Sequence, residues 1–302
     1  MNDYGRTIES LQKQKIMPSL NVNIQISQIS MLLAVVAASM MVTFLISSID
    51  QSPLRQFVFA QQRINASAYD KTITYATFPQ IHNFTSSGQG AVNSWIIESA
   101  NGVVVVDTQR TLSEAKKLKD EVKKINKPIL GVIITHPHPD HIGGTEILLN
   151  GTINVPVYST RSVYDIMKND TGGLIALAKE FHGNDYTDNI VLPSDLINSD
   201  TNVTIDEIVY SFKDIGPGEA GNMTLIYLPG QRILFTGDVV NNEMIPFLAE
   251  GHSLDWIKQL EYIIQNYSHV KFLYPGHGQY GSAKILLDKQ LSYINTFRSL
   301  VE

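Results

Sequence analysis

Apolar positions along the chain fall into two periods, and segments of the two kinds alternate. Ser94 to Glu98, Val103 to Asp107, Ile129 to Ile134, Val209 to Ile215 and Leu225 to Leu228 are short runs rich in β-branched and large apolar residues. Such runs predict strands, and Thr72 to Phe78 has the same character. Leu112, Ala115, Leu118, Val122 and Ile125 recur at helical spacing, predicting an amphipathic helix over Thr111 to Asn126 with its lysines on the solvated face. A second helix starts near Ser253 and carries Trp256, Ile257, Leu260 and Ile264 on one face; a third runs through Leu174, Leu177, Ala178 and Phe181; a short one covers Thr145 to Asn150. Strands interleaved with helices define an α/β protein.

Ile29 to Ile49 departs from both periods. It is uncharged and rich in Met, Leu, Val and Ala, and a stretch of about twenty residues is what a helix needs to cross a bilayer. It predicts a transmembrane anchor or uncleaved signal at 29–49, between an N-terminal segment at 1–28 and a linker at 50–69, with one domain at 70–302. Val58-Phe59-Ala60 loosely resembles a cleavage site but lies well beyond the apolar stretch. Basic residues flank the stretch on both sides, so orientation rests on other signals. Sequons at Asn65, Asn83, Asn150, Asn169, Asn202, Asn222 and Asn266 point to a glycoprotein whose domain faces outward, away from the cytoplasm. The chain has no cysteine, so the domain is not stapled by disulfides and relies on its core.

His136-Pro137-His138-Pro139-Asp140-His141 follows directly on the Ile129 to Ile134 run. Pro137 and Pro139 restrain their predecessors to extended geometry, which makes His136 and His138 period-two neighbours on one side of the chain, able to share a metal. Asp140 and His141 come next and can face a second metal. Gly143-Gly144 carry no Cβ and let the backbone crowd such a centre.

This H-x-H-x-D-H pattern at a strand's exit resembles the metallo-β-lactamase fold superfamily, and the resemblance extends along the chain from about Asp70. Arg232-Ile-Leu-Phe-Thr-Gly-Asp238 is an apolar strand ending where the family places its metal-bridging aspartate. Phe272-Leu-Tyr-Pro-Gly-His277 ends where the family places its last histidine ligand. The resemblance implies an αββα four-layer sandwich and a dinuclear zinc centre. His136, His138 and Glu219 would hold the first ion, Asp140, His141 and His277 the second, and Asp238 would stand between them. It further implies a bridging hydroxide as nucleophile, Asp140 as a catalytic residue, and Asp107 orienting a ligand histidine through its other ring nitrogen.

Glu219 breaks the usual pattern, because most members carry histidine in the segment that here reads Gly216-Pro217-Gly218-Glu219-Ala220-Gly221-Asn222-Met223-Thr224. Either a ligand is lost or a carboxylate has replaced it. The second reading is favoured, since zinc accepts carboxylate oxygen at about the distance of imidazole nitrogen. This segment is locally similar to the zinc alkylsulfatase branch, where a glutamate is the ligand. The exchange adds one negative charge, predicting weaker Lewis acidity, a more alkaline optimum and a centre more open to Mn or Fe.

His252, in the loop before the Ser253 helix, is a candidate for substrate contact or for a backup ligand that supports the centre, against hydrogen bonding at the helix start. His182 reads as a helix-end partner of carbonyls, and His82 and His269 have no constellation around them. A net charge of −6 without a basic, aromatic-interleaved stripe argues against a nucleic-acid partner. The expectation is a membrane-anchored metallohydrolase that cleaves a small ester-like bond: a sulfate ester, carboxylic ester, lactone or β-lactam. The alternative is a non-catalytic or mononuclear sensor on the same fold. Nothing in the sequence sets the oligomeric state.

Overall fold

A computed structural model of the protein describes residues 79–88 and 90–301. The expected anchor at 29–49, the linker at 50–69 and the strand expected over Thr72 to Phe78 lie outside these residues. No helix among the described residues is long and apolar enough to cross a membrane.

Six strands build the first sheet: β1 (Gln80–Thr85), β2 (Asn93–Glu98), β3 (Val103–Val106), β4 (Ile129–Ile133), β5 (Val157–Thr160) and β6 (Asp195–Ile197), side by side in chain order. β1 to β3 pair antiparallel and β3 to β6 parallel. The second sheet holds β7 (Thr201–Ile205), β8 (Ile208–Gly216), β9 (Met223–Leu228), β10 (Ile233–Asn241), β11 (Phe272–His277) and β12 (Gly281–Ser282) in reverse order. Only its β10–β11 pair is parallel. The helices are α1 (Leu112–Ile125), α2 (Pro139–Ile142), α3 (Thr145–Leu149), α4 (Arg161–Asn169), α5 (Leu174–His182), α6 (Ser253–Asn266) and α7 (Ala283–Val301).

Side-chain alternation explains the layering. Ile97, Val104, Val106 and Ile133 point to one side of the first sheet and join Phe212, Ile226, Leu228 and Phe235 of the second in a core between the sheets. Their chain neighbours Ile96, Val103, Val105 and Val132 point the other way, against Leu118 and Val122 of α1 and Val163 and Met167 of α4. The outer face of the second sheet, with Leu225, Leu234 and Leu273, packs on Trp256, Leu260 and Ile263 of α6 and Leu286, Leu287 and Ile294 of α7. Four layers in the order α, β, β, α result, and strands covered on both faces read as the near-continuous apolar runs seen in the sequence.

Local signals place the element ends. Thr111 caps α1 by accepting from the Glu114 amide at 3.3 Å, and Asn126 closes it at a φ of 57°. The sequence places the end of β10 at Gly-Asp238, but the strand continues to Asn241. A bulge at Gly237 shifts its register against β11 just before Asp238, and bulges of this kind re-aim a side chain without ending the strand.

Candidate metal centre

The Ile129–Ile133 strand delivers its chain into the space between the two sheets at one end of the sandwich. Pro139 stands at the first position of α2, where its missing amide costs nothing, so the second proline starts a short helix there. Asp140 and His141 follow inside it. Glu219 sits in the β8–β9 loop, Asp238 on the bulged part of β10, and His277 at the end of β11. His136, His138, His141, Glu219, Asp238 and His277 are all buried, and Asp140 is partly buried.

Each imidazole is tied at one nitrogen and faces the cluster with the other. His136 Nδ1 lies 2.9 Å from Thr135 Oγ1. His138 Nε2 lies 2.6 Å from Glu250 Oε1, His141 Nδ1 2.8 Å from Asp107 Oδ2, and His277 Nδ1 2.6 Å from the Ala91 carbonyl. Free to face inward are His136 Nε2, His138 Nδ1, His141 Nε2 and His277 Nε2. His138 Nδ1 stands 3.0 Å and His136 Nε2 3.7 Å from Glu219 Oε2. His277 Nε2 is 3.0 Å from Asp238 Oδ2 and 3.4 Å from Asp140 Oδ2. His141 Nε2 is 3.4 Å from Asp238 Oδ1 and 3.7 Å from Asp140 Oδ2.

These atoms fit metal ions. His136 Nε2, His141 Nε2, Glu219 Oε2 and Asp238 Oδ1 are buried with no hydrogen-bond partner, a costly state for polar atoms that have nothing to bind. Ligand atoms about 2.0–2.1 Å from a tetrahedral ion stand about 3.3 Å apart, and the separations above straddle that value. Two triplets, His136–His138–Glu219 and Asp140–His141–His277, have ligand atoms close enough together to hold an ion. A third triplet replaces Glu219 and His138 by Asp107 with His136 and His141. Its carboxylate is already engaged, accepting from the Thr135 amide at 2.9 Å and the Thr135 hydroxyl at 2.8 Å besides its contact with His141. Asp107 is a buried support and not a solvated strand end; it adopts a φ of 60° just past β3.

The electrostatics are those of opposed charges out of water. Burial alone would favour neutral His141 and His277, but Asp238 and Asp140 override it and push the rings up to about 10 and about 11 respectively. The same pairs, His277 and His141 above all for Asp238 and His141 for Asp140, hold both carboxyls well below the usual range despite burial. Glu219 is pushed up to about 7 by burial, with His138 opposing. His136 falls well below its ordinary value because it is buried and lies beside His141.

Several supporting residues carry no motif. Arg110 Nη2 contacts Asp140 Oδ2 at 3.1 Å and the Gly90 carbonyl at 3.0 Å. Gln259 of α6 donates to the carbonyls of Gly216 and Pro217, both at 2.8 Å, and so pins the loop that carries Glu219. Asn93 and Trp95 hold the Pro275 carbonyl beside His277. A Cβ at Gly276 would lie 1.9 Å from Asp238 Oδ1, so only glycine lets β11 pass the cluster. Gly143 and Gly144 have another reason to be glycine than the one expected. A Cβ there would strike the backbone carbonyls of Arg110 and Thr108, so they let α2 and α3 close on the loop after β3.

His252 does not join the cluster. It occupies the N-cap position of α6 without a side-chain capping bond and lines a neighbouring cavity with Glu250 and Gly221. His182, at the end of α5, lines the pocket above the cluster. His82 pairs with Glu98 at 2.7 Å, and His269 with the Tyr227 hydroxyl at 2.9 Å.

Fold and cluster together define a metallo-β-lactamase-type sandwich. The model of the Metallo-beta-lactamase superfamily matches residues 87–277, and the chain belongs to that superfamily. The linear primary-alkylsulfatase of Pseudomonas sp. (strain ATCC 19151) is 27% identical over 184 residues, 50% of this chain and 34% of that protein. The chain therefore matches about a third of that relative's length. The type 2 metallo-beta-lactamase of Bacillus cereus is 26% identical over 199 residues, 65% of this chain and 70% of that one. A solved metallo-beta-lactamase from Pontibacter korlensis has a TM-score of 0.60 at 22% identity, covering 72% of this chain and 95% of that one, a likeness of fold.

Proposed function

We propose that the protein is a metal-dependent hydrolase of small ester-like bonds, with His136, His138 and Glu219 holding one ion, Asp140, His141 and His277 a second, and Asp238 shared. The observation that carries this reading is the set of buried, partnerless ligand atoms on His136, His141, Glu219 and Asp238 beneath an open pocket. Bound ions supply Lewis acidity toward the scissile bond and acidify water. The chain's part is to fix the donors. Asp107, Thr135, Glu250 and the Ala91 carbonyl each set one ring's orientation. Asp140, held by Arg110, lines the pocket together with Glu219 and Asp238 but is the least buried of the three carboxylates, and it is the group we assign to contact with the reacting atoms.

Zinc is the expected metal, with Mn or Fe admitted by the carboxylate-rich donor set. Metal content of the full-length protein purified without chelator tests the assignment. About two ions per chain should fall to about one in Glu219→Ala, and one or none in both proteins would overturn it. Glu219 adds a negative charge where most relatives of the fold carry a neutral ring, so the pH–rate profile should shift toward acid in Glu219→His. An unchanged profile would show that Glu219 does not tune the attacking water.

We infer further that 29–49 anchors the chain in a membrane with the domain outside the cytoplasm. Five sequon asparagines, Asn83, Asn150, Asn169, Asn202 and Asn266, are exposed, while Asn222 is buried beside the site. Protease added to intact cells should cleave the domain; full protection would place it inside.

A further inference from the structure

The pocket over the cluster, about 410 Å³, has two unlike sides. Asp140, Glu219, Asp238 and His277 make its floor, whereas Leu174, Leu177, Ala178 and Phe181 of α5 make a wall that Met244 and Phe247 extend. The wall is unusual for a helix. None of the residues of α5 is buried, and Leu177 and Phe181 remain 58% and 83% exposed, as Phe247 does at 41%. Clustered apolar side chains left open at the mouth of a pocket mark the place of an apolar ligand. Their spacing of three, four and seven residues puts the four α5 side chains in one stripe along one helix face.

We propose that the site takes a linear amphiphile, with its scissile ester group on the polar floor and an unbranched apolar chain of about eight carbons lying along α5. The inference rests on the hydrolase reading for the floor and on the stripe for the chain. From Leu174 to Phe181 the stripe is about 10 Å long at about 1.5 Å per residue. A zigzag of ~1.5 Å bonds advances about 1.3 Å per carbon, so about eight carbons span it. The far end of the chain must be uncharged. Arg110, the guanidinium in the lining, is engaged by the Gly90 carbonyl and Asp140, and burial lowers the pKa of the His182 ring beside Phe181, leaving the stripe without a cationic anchor. Hydrolysis of such an ester consumes one water and yields one acid and one alcohol, with no change of oxidation state.

The test reads binding and turnover separately on the full-length, zinc-loaded protein. The probes are n-alkyl carboxylates from two to fourteen carbons, titrated calorimetrically. The expected result is about two- to fourfold tighter binding per added methylene, levelling off near eight carbons. Leu177→Ser and Phe181→Ser, both at exposed positions, should flatten that series and leave acetate binding unchanged. Affinity independent of chain length, or a slope that survives both substitutions, overturns the proposal. Tighter binding to phosphatidylcholine vesicles than to any monomeric probe also overturns it, and assigns the wall to membrane contact. A protein that binds the series with the expected slope but hydrolyses neither alkyl sulfates nor alkyl carboxylic esters keeps the groove and sinks the hydrolase reading. Hydrolysis of short esters with no chain-length preference does the reverse.

Discussion

Glu250 shows what a single side chain can do for a neighbour. Its carboxylate accepts from His138 Nε2 at 2.6 Å and so directs Nδ1 toward Glu219. Loss of such a support typically lowers metal affinity about 10- to 100-fold, and Glu250→Ala should do so while Glu250→Gln, which still accepts, retains most of it. Chelator competition measures this; equal affinity in all three proteins would leave the contact without a role at the centre. His141 and His277, held up at about 10 and about 11, carry an extra proton at neutral pH that a ligand nitrogen must lose. Glu219 holds His138 well above its ordinary value too, despite burial, so loading chelator-treated protein with zinc should release on the order of three protons per chain in weak buffer, and apparent affinity should fall as the pH is lowered. Zinc uptake without proton release would contradict the ring assignments. The seven proposed donors were legible because six lie in the His cluster or at the ends of the apolar runs before Asp238 and His277, and because the segment around Glu219 resembles one in which a glutamate is the ligand. Glu250 was visible only as part of a loop, since a lone glutamate carries no local signal of the partner it meets more than a hundred positions away.

Elements bring these residues together through packing that the motifs do not reveal. Trp256 of α6 is fully buried against the second sheet and donates from Nε1 to the Val239 carbonyl at 2.8 Å, on the strand that carries Asp238. Trp256→Ala should cost about 3–5 kcal/mol in denaturant unfolding through cavity formation. A cost below about 1 kcal/mol would mean that α6 is not fastened there. The sequence periods located α1, α5 and α6 well, since their apolar stripes face the sheets or the pocket. They did not show β1, whose Gln80–Thr85 run alternates with little apolar content, nor the bulge in β10, because backbone register leaves no mark on composition. The 19-residue α7 was also missed, although Leu286, Leu287 and Ile294 bury one side of it.

At the scale of the whole molecule, the proposed ligands come from both halves of the sandwich. His136, His138, Asp140 and His141 follow β4 of the first sheet, while Glu219, Asp238 and His277 belong to the second. Coordination would hold the two sheets together at that end, and binding to the folded state alone raises stability with ligand concentration. Zinc should raise the midpoint of thermal unfolding and a chelator should lower it; an identical midpoint in both would show that the ions do not bridge the halves. In a chain without cysteine, such a bridge would take the place of a covalent staple. Unlike a disulfide it can be withdrawn without any redox chemistry. The lifetime of the protein would then follow the supply of metal around it, with scarcity loosening the sandwich and exposing it to proteolysis before any regulator need act.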